Sequence, residues 1–270
     1  MPLSLSNGAA RWLVGALCAA PLLAACTQTP SVPPSPPSSA GSRSASATVD
    51  GPFGRHDAAG QDARPGARFR PPSPAHLPGV GPATRADVPA GTRQALVVVG
   101  ETLDTSDATA VLYEQDVTRQ WRRAAGPWPA HNALRGWTLD HREGDLRTPI
   151  GVFGLGDAGG LLPDPGARLP YDQDDEFVAT GTGFLGESLD GSFDYVVAID
   201  YNRVRGTTPL DKERPLGSDR GGGVWIHVDH DGPTQACISL PRNAMRELLR
   251  ALDPAKQPVI VMGPAAELAR

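Results

Sequence analysis

From Thr27 to about Ala90 the chain carries little that could pack, which confines any hydrophobic core to the C-terminal remainder. Pro30 to Thr48 is rich in proline, serine, threonine and alanine. Gly51 to Val88 adds scattered Arg, Asp and Gly with very few aliphatic residues. This composition reads as a tether over residues 26–90, and its prolines favour an extended spacer over a collapsed coil. Residues 91–270 suffice for one domain of ordinary size with its own core. The whole chain has 25 Lys and Arg against 30 Asp and Glu, a net charge of −5, and no basic patch suited to nucleic acid.

Residues 1–25 read as an export segment and not as part of the fold. Arg11 precedes an apolar run, Trp12 to Ala25, that is too short for a bilayer, which needs about 20 residues. The run ends in Leu23-Ala24-Ala25-Cys26, which resembles the lipobox of bacterial lipoproteins. The resemblance implies that Cys26 is lipidated, begins the mature chain and anchors it to the cell membrane, facing the wall. An ordinary signal peptide with a chance cysteine is the alternative. In either case Cys18 leaves with the segment.

The domain pattern is mainly β. Gln94–Val99 (QALVVV) reads as a strand and Ala108–Val117 as its partner. Further strands are expected at Ile150–Phe153, Phe193–Ile199, Val224–Val228 and Val259–Met262, with a short strand or bend at Ala236–Leu240. Asn243–Leu252 is the one clear helix, opened by Pro241 and stopped by Asp253-Pro254. Asp157–Asp175 reads as loop. Trp121, Trp128 and Trp137 fall in a polar, glycine-containing stretch, which reads as irregular chain that the rings anchor by packing or by covering a sheet edge rather than as a sugar platform.

With Cys18 and Cys26 in or next to the export segment, Cys237 is the only thiol of the folded part. It follows His227 by ten residues, and Asp231-Gly232-Pro233 between them can turn the chain so that the thiol returns beside the imidazole. That pairing suits nucleophilic catalysis: imidazole takes the thiol proton, and backbone N–H groups near the nucleophile hold the developing oxyanion. A working nucleophile of this kind is expected to have a lowered thiol pKa.

The stretch resembles the catalytic domain of the L,D-transpeptidases, the YkuD-type family of bacterial cell-wall enzymes. Against the family's Ser/Thr-His-Gly-Cys pattern, Thr234 matches the Ser/Thr and Cys237 the nucleophile, while His227 matches the general base. Gln235 stands where the family has His, Ala236 where it has Gly, and Ser239 where Arg or Asn is usual. A methyl at Ala236 clashes if the backbone there needs positive φ. Upstream, Thr148-Pro149-Ile150-Gly151-Val152-Phe153 is similar to the family's Thr-Pro-x-Gly-x-Phe element, a strand flanking the substrate groove. The resemblance covers about Gln94 to Met262. It implies a β-sandwich-like domain with a short helix after the nucleophile, and no metal or organic cofactor.

It further implies a peptidoglycan tetrapeptide stem as donor. Cys237 would attack the carbonyl of the diamino acid at position three and expel D-Ala, and a second stem's amine would complete a 3-3 cross-link. Water in place of the amine gives an L,D-carboxypeptidase. The remaining candidate residues are Asp229 as an orienter of His227, the Tyr201-Asn202 pair near the groove, and Arg147 and Thr148 facing the stem peptide. A zinc site from His227, Asp229, His230 and Cys237 is a weaker rival, because His227 and His230 should point to opposite faces of a strand. A catalytically lapsed peptidoglycan-binding wall protein is the other. Nothing in the sequence points to a partner interface, so a monomer is the default.

Overall fold

The computed structural model describes residues 75–270; Cys26, the export segment and most of the tether lie outside the described residues. The first strands are β1 Gln94–Gly100, β2 Asp107–Gln115, β3 Trp121–His131, β4 Trp137–Thr138, β5 Thr148–Pro149 and β6 Gly151–Gly154. There follow β7 Ala158–Gly160, β8 Tyr171–Gln173, β9 Val196–Ala198, β10 Trp225–Val228, β11 Ile238–Leu240 and β12 Val259–Pro264. Three short helices are α1 Pro82–Ala86, α2 Arg242–Ala251 and α3 Ala265–Leu268. Ten strands form one mixed sheet in the order β6-β12-β1-β2-β3-β11-β10-β9-β7-β8, and β4 pairs with β5.

β1 is apolar from Ala95 to Val99 because both of its faces are covered. Leu96 and Val98 enter one core cluster, while Ala95 and Val97 enter a second. β12 runs parallel to β1, with Leu96 opposite Ile260 and Val98 opposite Met262, and divides in the same way. The larger cluster extends from these strands to Val197, Ile226 and Ile238 at the other end of the strand order. Strands from both halves therefore share one core. The domain is a mainly β, curled sheet with short helices, in keeping with a β-sandwich-like architecture.

Ala244, Met245, Leu248 and Leu249 fall on one stripe of α2 and close the larger cluster. Each fully buried leucine there stabilises the fold by about 1.5–3 kcal/mol. Pro241 precedes the helix, and the Asp253 carboxylate, accepting from the Ala255 amide at 3.0 Å, fixes the turn that ends it.

Three expectations need correction. Leu77 and Val80 are buried in the second cluster beside Leu268, so the packed unit begins before residue 91 and takes in the last part of the tether. The tryptophan stretch is not irregular: Trp121 and Trp128 lie on β3, the longest strand, and together with Trp137 all three are buried. Asp157–Asp175 contains β7 and β8, which pair with each other and continue the sheet beyond β9.

Candidate active site

β10 and β11 are parallel neighbours, with Ile226 opposite Ile238, His227 opposite Ser239 and Val228 opposite Leu240. Ile226, Val228, Ile238 and Leu240 all enter the core. Alternation then turns His227, and Cys237 one residue before β11, to the other face. There both line a cleft of about 540 Å³. The Trp225 amide donates to Cys237 Sγ at 3.3 Å, and the thiol points to the Gly223 carbonyl at 3.8 Å.

The loop between the two strands is held in several places. Asp231 takes a left-handed conformation, φ 62°, where the chain turns. Thr234 is buried, bridges to Ala133, and donates its hydroxyl to the Cys237 carbonyl at 2.7 Å. Thr234 thus sets the thiol's position without competing for it.

His227 is buried between two rings. Phe193 meets it edge-on at 5.4 Å between centroids, and His230 stacks on it at 5.8 Å with 9° between planes. Its Nδ1 lies 2.9 Å from the Val228 carbonyl, which can only accept, so Nδ1 carries the proton and Nε2 keeps a lone pair. Burial brings the imidazole pKa down to about 4. Burial also pushes the Cys237 thiol up to about 11, with the Trp225 amide opposing it. The pair therefore rests as neutral thiol and neutral imidazole. This reverses the expected lowered thiol pKa: burial raises it, and the Trp225 amide offsets only part of that.

Gln235 and Ala236 also line the cleft, Gln235 exposed at its mouth. Ala236 is not among the described non-glycine residues with positive φ, so its methyl is accommodated without backbone strain. The amides of Ala236 and Cys237 have no hydrogen-bond partner among the described residues.

Asp229 does not orient His227. Its carboxylate takes His131 Nδ1 at 2.8 Å and the Ser239 hydroxyl at 2.5 Å, with Ser239 fully buried. Burial raises the Asp229 pKa, but the bonds from His131 and Ser239 outweigh it and hold it at about 2. The Asp229 hydrogen bond in turn raises the pKa of His131. His227 and His230 do share a face, because β10 ends at Val228 and the turn brings His230 back over the ring. His230 Nδ1 is 3.2 Å from Glu187. With Asp229 and His230 committed elsewhere, the described residues hold no group of three or more His, Cys, Asp and Glu arranged for a metal ion.

Tyr201 and Asn202 lie outside the cleft and hold the loop that reaches it. The Tyr201 hydroxyl donates to the Arg220 carbonyl at 2.9 Å. Asn202, at φ 45°, donates to the carbonyls of Gly217 and Gly221 and accepts from the Leu216 amide at 2.7 Å. Arg203 next to it is buried against Asp157 and Asp200 at 2.8 and 2.7 Å. Arg147 and Thr148 also miss the cleft. Arg147 bonds Asp104 and the Trp137 carbonyl, each at 3.1 Å, and Thr148 accepts from the Ala133 amide at 3.0 Å. The Thr-Pro-x-Gly-x-Phe segment supplies β5 and the sheet-edge strand β6, while His141, Glu143, Gly144 and Leu146 just before it line the cleft.

Sequence reading missed Phe193, Glu143, Arg214 and the hairpin loop around Phe184, all of which line the cleft. The hairpin loop is closed by a Thr182–Ser188 bridge and fixed to His230 through Glu187. One signal was present: Gly221-Gly222-Gly223 leads into β10, and three adjacent glycines mark a close approach of other groups to the backbone. Compared with protein-family models, curated proteins and solved structures, the chain has no match.

Proposed function

We propose that the protein is an exported cysteine acyltransferase of the L,D-transpeptidase type. It forms 3-3 peptidoglycan cross-links through a thioacyl-enzyme on Cys237. The observation that carries the reading is that adjacent parallel strands bring Cys237 and His227 to one cleft of about 540 Å³, large enough for a peptide. The YkuD-type fold, the lipid anchor at Cys26 and the wall-facing position belong to the same proposal.

In this reading His227 Nε2 accepts the thiol proton as sulfur attacks the donor carbonyl, and the Ala236 and Cys237 amides hold the oxyanion. Collapse expels D-Ala, whose amine takes the proton from His227. The acceptor amine then attacks the thioester and passes its proton through His227 to the departing thiolate, which restores the thiol. A buried, weakly basic imidazole serves as base when the proton moves together with sulfur's attack, so that no free thiolate and imidazolium must form first.

The test is mass spectrometry of the protein mixed with disaccharide-tetrapeptide, alongside Cys237→Ala. A cross-linked dimer with loss of D-Ala, absent from the variant, supports the transpeptidase. D-Ala release without dimer reassigns the protein as an L,D-carboxypeptidase. Absence of both product and thioacyl adduct overturns the enzymatic reading in favour of a binding protein.

A further inference from the structure

The base that serves acylation is poorly matched to the second half of the reaction. An acceptor amine of the lysine kind, with a pKa of about 10.4, enters as ammonium, and at neutral pH only about one molecule in two thousand is free amine. His227, its pKa brought down to about 4, is too weak a base to take a proton from such a group. Of the other titratable side chains lining the cleft, His230 is stacked on His227 and tied to Glu187, Lys212 and Arg214 are cations, and Cys237 carries the acyl group. His141 and Glu143 remain.

His141 is 4 % exposed and reaches the cleft from the segment between β4 and β5. Its ring meets Tyr201 edge-on at 5.3 Å between centroids. Nδ1 is buried 3.0 Å from Asp145 Oδ1, off the line of a hydrogen bond, and has no hydrogen-bond partner among the described residues. The Asp145 carboxylate is itself fixed, accepting from the Arg142 and Arg147 amides at 2.8 Å each. Facing that anion, the neutral ring carries its proton on Nδ1 and keeps the lone pair on Nε2. Nε2 stands over Gly221, where a Cβ would come within 2.7 Å of it and 3.2 Å of Glu143 Oε2. Imidazole and carboxylate thus flank one point on a backbone without a side chain. Gly221 is two residues, no more than about 7 Å of chain, from Gly223, whose carbonyl faces Cys237 Sγ. A histidine buried only for packing would have its ring nitrogens bonded; one with unused nitrogens beside a cleft, backed by a carboxylate, has the arrangement of a general base.

We propose that His141 is a second catalytic base, serving the acceptor, and that Glu143 draws the acceptor's ammonium towards it. His141 Nε2 takes one proton from the ammonium and becomes imidazolium. The free amine attacks the thioester carbon, and its second proton passes by way of His227 to the departing thiolate as the C–S bond breaks. The His141 imidazolium then returns its proton to water. This rests on the reading that Cys237 forms a thioacyl-enzyme, and it divides the two half-reactions between two histidines.

The experiment loads the full chain with disaccharide-tetrapeptide to the thioacyl adduct, then follows loss of the adduct by intact-protein mass spectrometry after adding Nα-acetyl-lysine or hydroxylamine. Hydroxylamine is already uncharged at neutral pH and needs no base to free it. His141→Gln should slow transfer to acetyl-lysine about 100-fold and transfer to hydroxylamine no more than about threefold, as expected for a lost general base. In the wild type, transfer to acetyl-lysine should stay level as pH rises through the mildly alkaline range, a result that does not depend on how the variant folds. Equal slowing of both amines by His141→Gln, slowing of neither, or a wild-type rate that climbs in proportion to the free amine would overturn the second base and leave the thioacyl reading standing. Absence of any adduct in the wild type would overturn both.

Discussion

The imidazole of His227 gives its Nδ1 proton to the carbonyl of Val228, the next residue along the same strand, at 2.9 Å. No acidic side chain is needed to set the tautomer, because the strand's own backbone sets it and leaves Nε2 free. Since burial lowers the ring's pKa to about 4, the base is already unprotonated from mildly acidic pH upward. The rate of Cys237 acylation should rise as pH is raised through about 4 and then stay level across neutral pH. An acid limb centred near the ordinary histidine value of 6.5, measured by intact-protein mass spectrometry across pH, would contradict this account. His227→Gln should remove acylation and leave the fold in place.

Cys237 should be a slow thiol towards simple alkylating agents. With its pKa pushed up to about 11, the fraction present as thiolate at neutral pH is small, and alkylation should keep accelerating throughout the alkaline range. A rate that levels off below pH 9.0, the thiol's ordinary value, would show that a cation has stabilised the sulfur.

Asp229→Asn should destabilise the protein by about 1–2 kcal/mol in denaturant titrations, allowing for partial solvent screening of the pair. The penalty depends on pH in a specific way. Asp229 is lowered from 3.8 to about 2, so its contribution is complete above 3.8 and is lost as pH falls to about 2. His131 is raised above 6.5, so its contribution is complete below 6.5 and is lost as pH climbs through the raised value. The difference between wild type and variant should therefore be greatest between pH 3.8 and 6.5. A difference that does not vary with pH would mean that packing alone is responsible.

Asn202→Ala should cost about 2–3 kcal/mol, combining lost hydrogen bonds with a left-handed backbone that alanine resists. Because Asn202 holds the loop bearing Arg214, the variant should also raise KM for the donor more than it lowers kcat. Unchanged KM would separate the loop from substrate binding.

Ala236→Gly tests the departure from the family pattern. The backbone there does not need positive φ, so glycine brings only extra chain entropy, about 0.5–1 kcal/mol of lost stability. Acylation should stay within about threefold of wild type, whereas strain relieved at a clashing methyl would speed it by far more.

What could be read in advance follows from how each segment is buried. QALVVV and VIVM announce themselves because their faces are covered on both sides, and NAMRELLRAL because a single stripe is covered. β3 did not, since Gly126, Pro127 and Pro129 argue against a strand; the register shifts of its partner β2 around Leu112 absorb the irregularity. That Cys237 and His227 reach one cleft was legible because a turn signal separates them by a short interval. Tyr201, Asn202, Arg147 and Thr148 were assigned to the groove, yet each spends its polar groups on holding loops. Glu143, Phe193 and Arg214 converge from segments without periodicity, where neither spacing nor composition reports proximity.

Gly221, Gly222 and Gly223 have φ of 65°, 155° and 64°, conformations in which side chains are rarely tolerated, and other groups fill the space above them. One wall of the cleft is thus defined by atoms the chain does not have. Most binding sites are disabled by trimming a contact; this one is open to the opposite injury. A single methyl at Gly222 would displace the Arg214 guanidinium from the cleft wall, although every reacting group would still be present.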